Sequence, residues 1–258
     1  MDLGLKGKVA VVTGSSRGIG KGIALGLAAE GCNLGICARG AEALRAAAKE
    51  IEAKGSKVLM LPLDVTQKET ANQIVRQTKE EFGRLDILVN NVGRNRPMQF
   101  EATTDEDWDE LLNLNLMCHI RMSRVVIPVM REHDGGVILF ISSIYGREAG
   151  GPNLSLYNTT KSGLISVAKI MALELASANI RVNSIAPGAI RFPGGAWDRR
   201  CRENPEGMAE FVKREMPLGR FGKVEEVANV AVFLASPRAS LMTGACINVD
   251  GCQSHSLI

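Results

Sequence analysis

The sequence predicts an α/β fold: a single doubly wound domain with a parallel sheet of about seven strands and helices on both faces. Three observations predict it. Short apolar runs rich in β-branched residues alternate with longer segments of helical period almost to the end of the chain. Those runs are apolar throughout, as strands covered on both faces should be. Nothing in the 258 residues reads as a linker, a repeat or a low-complexity tract, so 1–258 reads as one domain.

The elements follow in order. Lys8–Thr13 reads as a buried strand, and Ile19–Glu30 as a helix that Gly31 stops. Leu34–Ala38 is a second strand, followed by an Ala/Glu/Lys-rich helix from about Ala41 to Lys54. Lys57–Leu61 is the third strand. Thr66, with Glu69 three residues on, is placed to cap a helix running to Phe82. Asp86–Asn90 is the fourth strand. Thr104 can cap a long helix carrying Trp108, Leu112 and Leu116 into the 120s. Val137–Ile141 is the fifth strand, Ser155–Ser177 a helix and Arg181–Ala186 the sixth strand. Val224–Leu234 is a helix ended by Ser236-Pro237, and Ala245–Val249 closes the series. Crossovers between such parallel strands are right-handed. One stretch breaks the rhythm: about 188–216, with Pro193-Gly-Gly195 and a charged Asp198-Arg-Arg200, which reads as a lid inserted after a strand.

Composition narrows the function classes. A net charge of +3 gives no reason to expect nucleic acid or an anionic membrane surface as partner. No apolar run reaches the roughly 20 residues that span a bilayer, and Met1-Asp-Leu-Gly-Leu-Lys6 has no signal-peptide core. The six cysteines form no Cys-x-x-Cys, and several fall in strand-like runs, as small buried hydrophobes of a reducing compartment would. His119, His133 and His255 are scattered, so no metal site is expected. The expected location is the cytoplasm.

The first strand runs into Thr13-Gly-Ser-Ser-Arg-Gly-Ile-Gly20, and a helix follows. Gly14 permits a sharp turn, Gly18 lets the backbone approach a phosphate, and Gly20 lets the helix pack closely on the strand. The helix N-terminus offers free N–H groups to a pyrophosphate, with Ser16, Arg17 and Ile19 in the same turn. This is a Rossmann-type arrangement, although the spacing is Gly-xxx-Gly-x-Gly rather than Gly-x-Gly-x-x-Gly. NAD binders place an acid about 20 residues further on, against the ribose hydroxyls. Here Ala38 stands at that place and Arg39 follows. A carboxylate would repel a 2′-phosphate and an arginine can pair with it, so Arg39, with Arg17 as second candidate, predicts NADP(H) in preference to NAD(H).

Tyr157 and Lys161 lie four residues apart, one turn apart on a single helix face. A free phenol has a pKa of roughly 10. A neighbouring ammonium would favour the phenolate and lower that value, which suits proton transfer to or from a carbonyl or alcohol oxygen.

Together these residues resemble the short-chain dehydrogenase/reductase family in its compact form, and within it the 3-oxoacyl-carrier-protein reductase-like members. The resemblance covers nearly the whole chain. It rests on Thr13-Gly14…Gly18-Ile19-Gly20, Asp64-Val65, Asn90-Asn-Val-Gly93, Asn115, Ser143, Tyr157…Lys161, Pro187-Gly188 and Thr243-Gly244…Val249-Asp250-Gly251. It implies Tyr157 as proton donor or acceptor, Lys161 as the residue that tunes it and holds the nicotinamide ribose, and Ser143, rather than Ser142, on the substrate oxygen. It implies Asn115 in the long helix, holding a water that relays protons past Lys161. Asp64 and Val65 would flank the adenine, Asn91 would contact the adjacent ribose, and Gly93, Pro187 and Gly188 would line the cofactor. Two positions depart from the family pattern. Val92 stands where alanine is usual. Ile190-Arg-Phe192 stands where a threonine often binds the nicotinamide amide, which leaves that contact to the Ile190 backbone. The family also implies a homotetramer joined through the long helix, the Tyr157 helix and the C-terminal segment.

The reaction expected is hydride transfer between NADP(H) and a small-molecule carbonyl or secondary alcohol. Arginines recur near the site at 94, 96, 147, 191, 199, 200 and 202. They suit an anionic substrate such as a 3-oxoacyl thioester on a phosphopantetheine arm. They equally suit a solvated basic rim, with a small ketone, sugar or cyclic alcohol as substrate. A dinucleotide sensor without turnover is the alternative of another class, and the presence of both Tyr157 and Lys161 speaks against it.

Overall fold

The computed structural model describes residues 2–257. Seven strands form one parallel sheet in the order β3-β2-β1-β4-β5-β6-β7. They are β1 (Val9–Thr13), β2 (Asn33–Cys37), β3 (Val58–Leu61), β4 (Ile87–Asn90), β5 (Gly136–Ile141), β6 (Ile180–Pro187) and β7 (Cys246–Val249). Helices α1 (Gly18–Ala29), α2 (Ala41–Glu52) and α9 (Val224–Ala235) pack on one face. The other face is covered by α3 (Thr70–Phe82), α5 (Cys118–Arg131) and α6 (Ser155–Leu175). Alternation within a strand feeds both layers: Ala10 and Val12 belong to the first apolar cluster and Val11 to the second. The remaining helices are α4 (Asp105–Leu112), α7 (Ala196–Glu203) and α8 (Pro205–Glu215).

The chain winds outward from β1 to β3, returns to β4 beside β1, and then winds the other way. That reversal opens a crevice at the C-terminal edge of the sheet, the usual ligand position in such folds. Because every strand is parallel, the segments after β1, β2, β3, β4, β5, β6 and β7 all emerge at this edge. At the opposite end, buried Asp86 ties strands together. It accepts the Val9 N–H at 2.9 Å and pairs with Arg84 at 2.5 Å and Lys8 at 3.3 Å.

Three expectations are corrected. Thr66 does not cap a helix: Asp64 Oδ1 takes both its N–H, at 2.9 Å, and its hydroxyl, at 2.8 Å, and α3 begins only at Thr70. The long helix after Thr104 runs on to Arg131 as expected, but not with a regular α period. Thr104 and Asp107 form the expected capping box, but residues Asn113–Met117 make a π turn that joins α4 to α5. Only three of the six cysteines, at 32, 37 and 118, are buried. The insertion at 188–216 folds as α7 and α8, joined at Asn204, whose side chain accepts the Gly207 N–H at 2.9 Å. No helix among the described residues is long and apolar enough to cross a membrane.

Candidate active site

The loop after β1 is built for an anion. Gly14 and Gly18 have φ of +66° and +57°, a region that side chains disfavour. A Cβ on Gly20 would lie 2.4 Å from the Gly14 carbonyl oxygen, so only glycine lets α1 sit this close to the loop. Arg17 occupies the cap position of α1 without a capping side chain, and no acidic residue stands in the first turn. The first N–H groups of α1 are therefore open to a phosphate. Asn91 braces the loop: its N–H donates to Thr13 Oγ1 at 3.0 Å, and its amide donates to Thr13 O at 3.0 Å and Gly14 O at 3.2 Å. The expected ribose contact thus comes from a residue whose amide already holds the loop's shape. On the Gly18 face lies the ring of Phe192, which a Cβ on Gly18 would meet at 2.6 Å.

Past β2, Arg39 extends into solvent with its side chain 77% exposed, and among the described residues its ionic neighbour is Asp64 at 4.0 Å. Val65 is buried beside Asp64. The glycine turn, the uncapped helix and the exposed guanidinium of Arg39 beside the Arg17 cap position fit a dinucleotide phosphate chain.

The proton-transfer candidates converge after β5. Ser143 opens the segment: its Oγ accepts the Tyr145 N–H at 3.2 Å, and it is near enough to the Tyr157 phenol to lower its pKa. Ser142 turns the other way and donates to the Lys161 carbonyl at 2.8 Å. The Lys161 ammonium is buried, donates to the Ile141 carbonyl at 2.8 Å, and sits 5.8 Å from the centre of the Tyr157 ring. It therefore lies over the face of the Tyr157 ring. This corrects one expectation. Burial pushes the Tyr157 phenol above its ordinary value, with Ser143 opposing, and Lys161 does not pull it down. Burial also lowers Lys161 itself, to about 8. Gly93 faces this ammonium closely enough that a Cβ would lie 3.1 Å from it.

Asn115 sits in the π turn, where the widened helix turns its amide into the loop after β4. Its Oδ1 accepts the Arg94 N–H at 2.9 Å, and its Nδ2 donates to Arg94 O at 2.9 Å and to Thr160 Oγ1 at 3.2 Å. The amide so links the floor of the crevice to the helix of Tyr157. One turn on, buried His119 donates from Nε2 to Val92 O at 2.7 Å, and burial drives its pKa to about 3. Thr160 and His119 were not singled out from the sequence. Thr160 stands inside the Tyr157–Lys161 spacing and was within reach of it; no local signal marks His119.

After β6, Gly188 donates to Val249 O at 3.1 Å and Ala189 to Gln253 Oε1 at 2.8 Å. Ile190 pairs in parallel with Gly222, through Gly222 N to Ala189 O and Arg191 N to Gly222 O, both at 2.9 Å. That pattern leaves the N–H and C=O of Ile190 itself pointing away from Gly222. A cavity of about 860 Å³ lies under α7 and α8, lined by Phe192, Cys201, Met208, Val212 and Phe221 among others. None of Ser143, Tyr157 or Lys161 lines it.

The arginines near the site are engaged within the protein. Arg94 pairs with Glu110, and Arg96 with Asp107 at 2.8 Å and Glu110 at 2.9 Å. Arg147 donates to Cys246 O and Asn248 Oδ1, and Arg191 and Arg202 share Asp198. Arg199 faces Glu203, and Arg200 stacks on Trp197.

A doubly wound sheet with a phosphate turn after β1 and a buried Ser–Tyr–Lys group after β5 defines a nucleotide-dependent oxidoreductase. The chain belongs to the short-chain dehydrogenase/reductase family. The family model described as enoyl-(acyl carrier protein) reductase matches residues 14–253. The 3-oxoacyl-(acyl-carrier-protein) reductase of Thermotoga maritima is 38% identical over 247 residues, 96% of this chain and 98% of that protein. A hydroxy(phenyl)methylsuccinyl-CoA dehydrogenase subunit of Thauera aromatica is 35% identical over 98% of each chain. The structure of L-sorbose reductase from Gluconobacter frateurii, complexed with NADPH and L-sorbose, superposes with a TM-score of 0.94 at 36% identity over all of both chains.

Proposed function

We propose that this oxidoreductase is a carbonyl reductase that uses NADP(H) in preference to NAD(H), with residues 188–216 as its lid over a single nucleotide-binding domain. The observation that carries the reading is the meeting of Ser143, Tyr157 and buried Lys161 at the sheet edge that also holds the phosphate turn. Bound nicotinamide would supply or take up the hydride. Tyr157 gives its proton to the carbonyl oxygen in reduction and takes one from the alcohol in the reverse direction. Ser143 donates a hydrogen bond to the same oxygen as charge develops on it. Lys161 keeps a positive charge beside the Tyr157 ring and reaches the nicotinamide ribose. Asn115 holds Arg94 and Thr160 so that the floor and the Tyr157 helix keep their spacing, and a water beside it passes protons onward. Ser16, Arg17, Ile19 and Gly20 receive the pyrophosphate, Asp64 and Val65 the adenine, Asn91 and Gly93 the riboses. Pro187, Gly188 and Ile190 line the nicotinamide.

Arg39 and Arg17 support the choice of NADP(H): Arg39 is 77% exposed and meets Asp64 only at 4.0 Å, so its guanidinium is open to a 2′-phosphate. The L-sorbose reductase was captured with NADPH. For the substrate, the relatives support a 3-oxoacyl thioester. The pairing of the site arginines within the protein favours a neutral ketone or sugar instead. Ile170 and Leu173 on α6 are 51% and 68% exposed, which supports a homotetramer through that helix. A cytoplasmic location fits the free thiols.

The test is consumption of NADPH, with NADH in parallel, against 3-oxoacyl thioesters, keto sugars, small diketones and cyclic ketones. A higher kcat/KM with NADH would overturn the cofactor assignment. Arg39→Ala should weaken NADPH binding about tenfold and leave NADH unchanged, as loss of one charge-assisted contact implies.

A further inference from the structure

We propose that Gln253 and Glu148 are positioning residues, and that through them the segment after β7 straps the nicotinamide-side loop to the loop that precedes Tyr157. The inference rests on the reading that Gly188–Ile190 faces the nicotinamide.

Four backbone groups flank Ile190 and fix its place: Gly188 N–H, Ala189 N–H, Ala189 C=O and Arg191 N–H. Three of them bond backbone partners on Val249 and Gly222. The fourth, Ala189 N–H, is held by a side chain, Gln253 Oε1 at 2.8 Å, and both residues are buried. The fit is close, because a Cβ on Gly188 would stand 2.6 Å from that same oxygen. Gln253 is in turn set by Asp250, whose two carboxylate oxygens accept the N–H groups of Cys252 and Ser254, each at 3.0 Å.

The strap then crosses the crevice. Glu148 Oε2 accepts the Ser254 hydroxyl at 3.0 Å and the His255 N–H at 2.8 Å. Glu148 lies in the loop between Ser143 and α6, and its carbonyl accepts the Asn158 amide at 2.8 Å. Asn158 directly follows Tyr157. Hydrogen bonds linked through the Gln253–Ser254 peptide and the Glu148 residue therefore connect the neighbour of Ile190 to the neighbour of Tyr157. The hydride and the proton must reach the two ends of one C=O bond, so the distance between these two loops sets the reaction geometry. Misplacement by about 1 Å in such a site can cost about a hundredfold in rate.

The test uses the full-length protein, nucleotide binding followed by NADPH fluorescence, thermal melting, and kinetics with the carbonyl found active. Gln253→Met keeps the length and removes the acceptor. It should weaken NADPH binding and lower kcat, each by about tenfold. Gln253→Glu keeps an acceptor oxygen at the same reach and should restore both to within about threefold of wild type. Glu148→Ala, remote from the nucleotide, should raise KM for the carbonyl and leave NADPH affinity within about twofold. A Gln253→Met protein that matches wild type in both readouts would overturn the inference. So would a Gln253→Glu protein as impaired as Gln253→Met. Should Gln253→Met not fold, an unchanged KM in Glu148→Ala decides against the strap. A wild type that binds neither NADPH nor NADH would instead remove the site assignment on which the strap depends.

Discussion

The turns after β1 and β2 and the insertion after β6 all bring arginines to the C-terminal edge of the sheet, and the two regions treat them differently. In the first, Arg17 stands at the N-cap position of α1 without a capping bond and Arg39 reaches into solvent with one carboxylate at 4.0 Å. In the second, Arg191 and Arg202 converge on Asp198, Arg199 faces Glu203 and Arg200 lies on Trp197. The first arrangement leaves charge available to an incoming anion. The second uses it to hold α7 against its own neighbours. The number of arginines near a crevice thus says little about the charge of its ligand. Their partners decide, and those are visible only once the chain is folded.

The comparison can be broken or sharpened by experiment. The largest effect is expected from Tyr157→Phe, which removes the one hydroxyl placed to move a proton. Turnover should fall by about a hundred- to ten-thousand-fold while nucleotide binding, measured by fluorescence titration, persists. If binding is lost as well, the phosphate turn and the proton site are not separate devices. Gly20→Ala comes next. The new Cβ would meet the Gly14 carbonyl oxygen and the Asn91 amide, both at 2.4 Å. Destabilisation of about 1–3 kcal/mol is expected in denaturant unfolding, together with loss of nucleotide affinity.

A pH effect on stability is expected from Asp86. Burial alone would raise its pKa, but Arg84, the Val9 N–H and Lys8 outweigh burial and hold it below the usual carboxylate value. A depressed folded-state pKa contributes stability that is present above the unfolded value of about 4 and is lost as pH falls through the folded one. Acid unfolding should therefore begin below about pH 4 and be weakened in Asp86→Asn, compared at matched ionic strength. The smallest effect is expected from Arg94→Ala and Arg191→Ala. Both arginines are themselves about half-exposed, so each should change stability by less than about 1 kcal/mol. Substrate KM should stay within about twofold in both. A larger rise would show that the lid arginines leave their partners to meet an anionic substrate.

Much of this was legible in the sequence because it depends on local chemistry. Gly14, Gly18 and Gly20 announce a turn and a close approach through the absence of a side chain. The seven strands announce themselves by buried β-branched runs, and the Tyr157–Lys161 spacing by one helical turn. What stayed hidden depends on distant segments. Thr66 looks like a cap until Asp64 takes its hydroxyl. Lys161 looks like a modulator of the Tyr157 hydroxyl until Ile141 fixes its ammonium beside the ring. Gln253 carries no mark of its partnership with Ala189, 64 residues earlier.

The π turn at Asn113–Met117 has a consequence for helical phase. Each residue of an α-helix advances the direction of its side chain by about 100°. A turn that holds one residue more than usual resets that angle for everything after it. On α4, Asp107 and Glu110 face the arginines of the crevice rim. On α5, Met122, Val126 and Met130 face the sheet. A regular helix through the same residues would rotate one of these faces off its target by more than a quarter turn. Removing a single residue from Asn113–Met117 would leave every other amino acid in place, and would still turn the rim or the core to the wrong side.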